Sequence, residues 1–286
     1  MKACPPSAWR MWLAGIRPRT LTIAVAPLLP AIGLAAQQGA PVAPLVVLAA
    51  LIAAVLIQAG TNLWNDAADG QADAIGRQGP PRLTALGWAS APTVRRAAAL
   101  CFAAASGCGL YLGWVGGWPI IALGLASLLA GWGYSCGRHP ISHTPFGELV
   151  VVAFFGIGAV GGLSWLLSGV LESKAIVLGL AIGLPAAAVL HVNNTRDIEC
   201  DCLAGRRTLA ILLGRRRAGL AYMAMVGVPL TLLPFVASGW IALLAAPEAI
   251  RLSHRFVTEA RFDALLGETA RYQMLLAGLA ALGMVL

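Results

Sequence analysis

Two acidic clusters interrupt an otherwise apolar chain of 286 residues, and their spacings match. The first reads Asn65-Asp66-x-x-Asp69-x-x-x-Asp73, the second Asn193-Asn194-x-x-Asp197-x-x-x-Asp201. Asn65, Asp69 and Asp73 map onto Asn193, Asp197 and Asp201 at a constant offset of 128 residues. Each cluster closes an uncharged run of about twenty residues, the length of one bilayer crossing. Carboxylates at the end of a membrane-spanning helix are costly and mark function. On a continuous helix Asn62, Asp66, Asp69 and Asp73 fall within about 60° of one another, and so do Asn194, Asp197 and Asp201. Stacked carboxylates repel unless a cation sits among them. Two such sets facing each other form an oxygen-rich cage suited to Mg²⁺ and a phosphate-bearing ligand. The predicted metal ligands are therefore Asn65, Asp66, Asp69, Asp73, Asn194, Asp197 and Asp201. Asp66, Asp69, Asp197 and Asp201 are the predicted catalytic residues. A solvated helix end, or pairing to loop arginines, accounts for one acidic cluster but poorly for two matched ones.

Arginines follow both clusters: Arg77 and Arg82 after the first, Arg206 and Arg207 after the second. Mg²⁺ takes a few carboxylates and completes its octahedron with water and phosphate oxygens, while arginine forks bind the remaining phosphate oxygens. That combination suits a diphosphate better than a monoanion. For Arg215, Arg216 and Arg217 a purely topological role is preferred. A third polar stretch runs from Tyr134 through Arg138, His139 and His143 to Glu148. Tyr134 suits an interfacial belt, Glu148 suits a helix N-terminus, and the histidines read as ordinary loop residues, with a general-base role as the alternative. The predicted substrate-binding set is Asn62, Arg77, Arg82, Tyr134, Arg138, Asn193, Arg206 and Arg17.

The elements that must position these groups are helices in a bilayer. The chain is 59% hydrophobic and 11% charged, against about 25% charged for a soluble domain. Nine apolar segments can be drawn: 18–37, 42–64, 94–113, 118–135, 147–168, 174–193, 217–237, 239–250 and 271–286. The eighth is short for a span, and its Pro247 predicts a broken or tilted helix. The predicted fold is all-α, a single unit over 1–286, with nine transmembrane helices in a bundle and an internal four-helix repeat. Nineteen of the 20 Lys and Arg residues fall on one side of that drawing, and only Lys174 on the other. The positive-inside rule then places the N-terminus and both acidic clusters in the cytosol and the C-terminus outside, in the plasma membrane of a bacterium. The net charge of +8 belongs to these loops and to anionic headgroups or substrates, not to nucleic acid. No cleavable signal peptide is evident. The six cysteines lack metal-type spacing, and they read as free thiols, Cys200-x-Cys202 included.

These residues resemble the UbiA superfamily of intramembrane aromatic prenyltransferases, whose marks are an NDxxDxxxD-type and a DxxxD-type motif. Both are present as NDAADGQAD and DIECD. Within that superfamily the stretches IGRQGPPRLTALGWAS, YSCGRHPISHTPFGEL and NNTRDIECDCLAGRRTLAILLG resemble the 1,4-dihydroxy-2-naphthoate prenyltransferase branch. Arg206 replaces a lysine usual in that branch, and Ala67 and Ala68 stand where aromatic residues are often found. The resemblance implies two Mg²⁺ ions, one per cluster, holding a polyprenyl diphosphate, and an aromatic acid as acceptor. It implies a bundle open sideways to lipid for the prenyl tail, and loss of the acceptor carboxylate on prenylation. Arg17, at the start of the first helix, would hold an aromatic acid. The alternatives are prenylation of 4-hydroxybenzoate or homogentisate, a transporter, a phosphatidyl-group transferase, or a non-catalytic lipid-binding homologue. Clusters at one membrane face argue against a transporter, whose sites lie near the midplane. The DGxxAR-type stretch of the phosphatidyl-group transferases is not seen.

Overall fold

A computed structural model describes residues 6–70, 79, 82–236, 239–258 and 262–286. Among them there are helices and turns and no strand. The helices are α1 (Ala8–Ile16), α2 (Pro18–Val25), α3 (Leu28–Gln37), α4 (Pro44–Asp69), α5 (Ala91–Gly116) and α6 (Trp118–Gly133). Then come α7 (Gly147–Val152), a π turn at Ala153–Gly158, α8 (Ala159–Ser168), α9 (Ser173–Arg196) and α10 (Ile198–Leu203). The chain closes with α11 (Leu209–Leu232), a 3₁₀ stretch at Gly239–Ala245, α12 (Ala246–Thr258) and α13 (Asp263–Val285). Prolines open α2, α4, α5 and α6 within their first two positions, where a missing N–H costs nothing. Gly117 and Gly169 end α5 and α8 at positive φ.

Among the described residues, six helical stretches are long and apolar enough to cross a membrane: Pro18–Gln37, Pro44–Asp69, Ala91–Gly116, Gly147–Ser168, Ser173–Arg196 and Leu209–Phe235. Trp118–Gly133 is apolar but shorter. The eighth drawn segment is broken as its proline suggested: a 3₁₀ stretch gives way to α12 next to Pro247. The seventh begins after a break at Gly214, whose φ of 65° takes it out of the helix. Large apolar side chains such as Leu100, Leu129, Leu220 and Leu244 are exposed without lining the cavity, as lipid-facing residues are. Trp114, Trp118 and Trp240 are exposed at the end of the bundle remote from the acidic motifs, where an interfacial belt belongs.

The helix that carries the second motif is the axis of the bundle. In α9, 72% of the most apolar stretch is buried, against 33% in α4. Small residues make this possible. A Cβ added to Gly183 would lie 3.0 Å from Cα of Gly156, and one added to Gly179 would lie 2.6 Å from Cα of Ile157. Backbone therefore meets backbone, the packing that small residues permit between membrane helices. Proline residues at 185 and 229 remove a donor inside α9 and α11. The carbonyl three residues before each accepts from consecutive residues of α13. Gln273 Nε2 reaches Ile182 O at 3.3 Å, and Tyr272 Oη reaches Val226 O at 2.7 Å. In an apolar bundle the Gln273 amide and the Tyr272 hydroxyl must find partners inside the protein.

Gly183→Val is expected to lower the melting temperature in detergent, by the equivalent of about 1–3 kcal/mol of overpacking. Gly227→Ala, with no atom within 4 Å of the added carbon, is the control that leaves it unchanged or raised. Equal melting of both variants and wild type would show that the α9 crossing is not tight.

Candidate active site

The two acidic motifs meet at the mouth of an apolar cavity of about 880 Å³. α4 brings Asp69 as its last residue, so the helix carries the first cluster this far. Asp73 and Arg77 lie outside the described residues. α9 ends at Arg196, and Asp197 leaves the helix with φ −97° and ψ 11°. The i→i−4 bonds from Asp197 N to Asn193 O at 3.2 Å and from Asp201 N to Asp197 O at 2.8 Å bridge this break, and Asp201 lies in the short α10 that follows.

Arg206 joins the two halves. Its Nη1 donates to Asp201 Oδ1 at 2.8 Å, and its Nη2 lies 3.4 Å from Asp69 Oδ2. All three residues are buried. Asn65 Nδ2 donates to Asp69 Oδ2 at 2.8 Å and to Ser135 Oγ at 2.9 Å, and Arg82 Nη1 donates to Asn65 Oδ1 at 2.5 Å. Arg196 forks onto Asp197, with Nε to Oδ1 at 2.8 Å and Nη2 to Oδ2 at 2.7 Å, and also donates to Asn193 Oδ1 at 2.7 Å. Every carboxylate of this constellation thus has an arginine or backbone donors against it, which lowers the cost of burying it.

Of the expected residues, Asn62, Asn65, Asp69, Tyr134, Asn193, Asn194, Asp201, Arg206 and Arg17 line the cavity. Arg17 does so from a left-handed conformation, φ 55°, between α1 and α2. Such a conformation is uncommon outside glycine and is held by its surroundings. Asn62 fixes that corner, donating to Ile16 O at 2.9 Å and Thr20 Oγ1 at 3.1 Å. Asp197 and Arg82 are buried next to the mouth without lining the cavity.

Two more of the expected residues lie away from the cavity lining. Arg138 is exposed in the turn after α6 and does not line the cavity. Asp66 is fully buried and faces the following turn rather than the cavity. Its carboxylate accepts from Leu83 N at 2.7 Å, from Thr84 N at 3.0 Å and from Thr84 Oγ1 at 2.6 Å. These three bonds tie Asp66 to the turn that carries Arg82.

Three residues outside the expected set also stand at this end of the bundle. Arg196 lies inside the second motif but was counted only as a topological charge. His143 reaches back from the third polar loop, its Nε2 3.6 Å from Asp69 Oδ1, and its carbonyl accepts from Arg207 N at 2.9 Å. His191 sits fully buried one turn before the motif, facing Glu148. A histidine followed closely by paired asparagines in an apolar helix was the available signal.

Residues 24–258 match the UbiA prenyltransferase family. The chain belongs to that family. It is 34% identical over 250 residues to the 1,4-dihydroxy-2-naphthoate octaprenyltransferase of Mycobacterium tuberculosis, covering 86% of this chain and 85% of that protein. It is also 34% identical over 271 residues to the protein of the same description from Escherichia coli, with 88% and 87% covered. In fold it is similar to a UbiA homologue from Archaeoglobus fulgidus solved with GPP and Mg²⁺, at a TM-score of 0.66 and 15% identity over 96% of this chain and 100% of that one. An apo UbiA homologue from Aeropyrum pernix K1 gives a TM-score of 0.66 at 18% identity, over 92% and 96%. The bundle of this UbiA-family chain therefore extends across nearly its whole length in the fold of its solved relatives.

Thr84→Val removes no metal-ligand candidate, and it is expected to lower stability by about 1–3 kcal/mol through the buried acceptor it strands. Combined with Asp66→Asn it should add less than the sum, because both changes break one bond network. Full additivity in melting experiments would detach Asp66 from this turn.

Proposed function

We propose that this protein transfers a polyprenyl group from polyprenyl diphosphate to 1,4-dihydroxy-2-naphthoate, with loss of the acceptor carboxylate, in naphthoquinone biosynthesis. The observation that carries the proposal is the convergence of Asp69 and Asp201 on Arg206 at the mouth of a long apolar cavity. A charged headgroup would sit at that mouth and an isoprenoid tail in the apolar part. The acceptor rests on the 34%-identical relatives described as naphthoate octaprenyltransferases.

The donor atoms suit Mg²⁺. Two carboxylates, Asp69 and Asp201, and the side-chain amides of Asn193 and Asn194 supply hard oxygens around one opening. Among the described residues there is no cluster of three or more His, Cys, Asp or Glu, so diphosphate and water oxygens would complete the sphere. When bound, Mg²⁺ would neutralise the charge that builds on the departing diphosphate. Arg196 and Arg206 hold the carboxylates in the meantime. Presented with diphosphate, each guanidinium exchanges a carboxylate for phosphate oxygens, the partners its fork fits best. Arg82 is held beside them by Asn65.

In the reaction the C1–O bond of the allylic diphosphate breaks and a carbon–carbon bond to the ring forms. Carbon dioxide leaves, and the proton displaced from the alkylated ring carbon is balanced by one taken up at the carbon that loses the carboxylate. Arginines at the mouth stabilise the leaving group. Phe154, Phe155 and Leu163 along the cavity keep water from the allylic cation. Arg17, across the mouth, would hold the acceptor carboxylate and so aim the ring at C1.

The topology completes the proposal. The six long spans, the shorter Trp118–Gly133, the 239–258 stretch and α13 make nine passes of a single unit over 1–286, with a four-helix repeat that ends each motif-bearing helix on the same side. That side is the cytoplasmic face of a bacterial plasma membrane, and the C-terminus lies outside.

The testing experiment supplies membranes containing the protein with Mg²⁺, one polyprenyl diphosphate and equal amounts of 1,4-dihydroxy-2-naphthoate, 4-hydroxybenzoate and homogentisate. Mass spectrometry is expected to show the prenylated naphthoquinone precursor in excess. Asp69→Asn and Asp201→Asn are each expected to lower its formation about 10²–10³-fold, the usual loss on removing a group that stabilises the transition state. A dominant 4-hydroxybenzoate product would overturn the acceptor assignment, and no product from any acid would overturn the transfer itself.

A further inference from the structure

Behind the acidic mouth lies a buried polar triad of which the proposed reaction uses one member, Asn194. Glu148, at the start of α7, is 3% exposed, and His191 and Asn194, one turn apart on α9, are 0% and 9% exposed. One oxygen, Glu148 Oε1, meets both partners: Asn194 Nδ2 donates to it at 3.1 Å, and His191 Nδ1 lies 3.1 Å away. His191 Nε2 lies 3.0 Å from Ala218 O on α11. A carbonyl only accepts, so Nε2 carries a proton. Phe256 stacks on the His191 ring with centroids 6.1 Å apart. The ring is therefore pinned on both edges and one face.

The consequence falls on Asn194. An asparagine amide presents either a donor or an acceptor, and the two faces look alike in shape. A carboxylate oxygen accepts, so the Glu148 contact commits the amide nitrogen to it. The carbonyl oxygen is the remaining polar atom, and it accepts no protein hydrogen bond among the described residues. Asn194 lines the cavity mouth, while Glu148 and His191 do not. A cation there needs the oxygen, and a reversed amide would point N–H groups at it.

We infer that Glu148, braced by His191, is a positioning residue that locks the Asn194 side chain with its carbonyl oxygen towards the cation at the mouth. The inference rests on the Mg²⁺–diphosphate reading of that mouth. Residues of this kind, which orient a ligand without touching the metal, usually change metal affinity 10–100-fold when replaced.

Glu148→Gln distinguishes this role from simple packing, because it preserves size and shape. The introduced glutamine has to place one terminal atom against both His191 Nδ1 and Asn194. The native carboxylate beside Nδ1 calls for a proton on that nitrogen as well; a neutral glutamine lifts that demand, the ring keeps its proton on Nε2, and Nδ1 accepts from the glutamine NH₂. The same NH₂ then faces Asn194 and turns the amide over, with its nitrogen towards the cavity. Adding Asn194→Asp cures that defect. The substituted aspartate accepts from the glutamine NH₂ with one oxygen and offers the other to the cation.

The measurement is Mn²⁺ binding followed by electron paramagnetic resonance on purified protein in detergent, with inorganic pyrophosphate present. Melting of the metal-free protein is recorded alongside. Glu148→Gln is expected to weaken Mn²⁺ binding 10–100-fold with little change in metal-free melting, and Glu148→Gln/Asn194→Asp is expected to recover most of that loss. Unchanged Mn²⁺ binding in Glu148→Gln would overturn the inference while leaving the proposed function intact. Should that single variant fail to fold, the paired variant decides alone: binding near the wild-type level supports the inference, and loss of binding refutes it. Wild-type protein that binds no Mn²⁺ with pyrophosphate would remove the metal reading and this inference together.

Discussion

A single guanidinium, that of Arg206, is shared by two carboxylates that lie 132 residues apart in sequence. In a buried setting this arrangement is demanding. Each charge loses its water, and removing one partner of such a set leaves another uncompensated, at about 3–5 kcal/mol. The ends of α4 and α9 are therefore tied together through one cation, and everything that sets the direction of those two helices sets the site. Arg196 repeats the pattern on Asp197 and Asn193, so the mouth carries its own counter-charges before any ligand arrives. The same groups that make the site affordable to bury are those best shaped to receive a diphosphate.

The rest of the bundle reads as the means of holding that mouth still. Backbone contact at Gly156, Gly179 and Gly183 seats α9 in the centre, and α13 covers the turns that Pro185 and Pro229 open. Asp66 ties the turn at 82–87 to the end of α4, which brings Arg82 to Asn65. Ser135 and His143 close the mouth from the loop after α6. Polar side chains are few in this chain, and most of those buried at this end face one another across helix ends. The apolar remainder has two faces, one towards lipid and one towards the cavity, and this division needs no polar group.

Sequence alone located the six long apolar helices, because uncharged runs bounded by arginines and prolines admit few other readings, while α1 and much of α12 fall outside the drawn segments. It also paired the two motifs, since equal spacing on one membrane side is hard to obtain by accident. Individual side-chain partners were a different matter. Asp66 and Asp69 look equivalent on a helical wheel, but only the fold shows that a turn 17 residues on supplies three donors to the first. The break at Asp197 follows from where α10 must go, not from local propensity. Arg138 and His143 sit in one loop with similar local surroundings, and tertiary placement sends one to solvent and the other to Asp69. Glu148 was conspicuous as a charge among apolar residues, whereas its partner His191 lies 43 residues away and carried no charge to draw attention.

The central claim is that the two acidic motifs form one site acting on one leaving group. A double-mutant cycle on diphosphate release from a polyprenyl diphosphate, with Asp69→Asn, Asp201→Asn and both together, tests it most directly. Residues that act as a unit are non-additive, so the double variant should be about as slow as the slower single variant. Two losses that multiply in full would show independent sites, and would contradict the account.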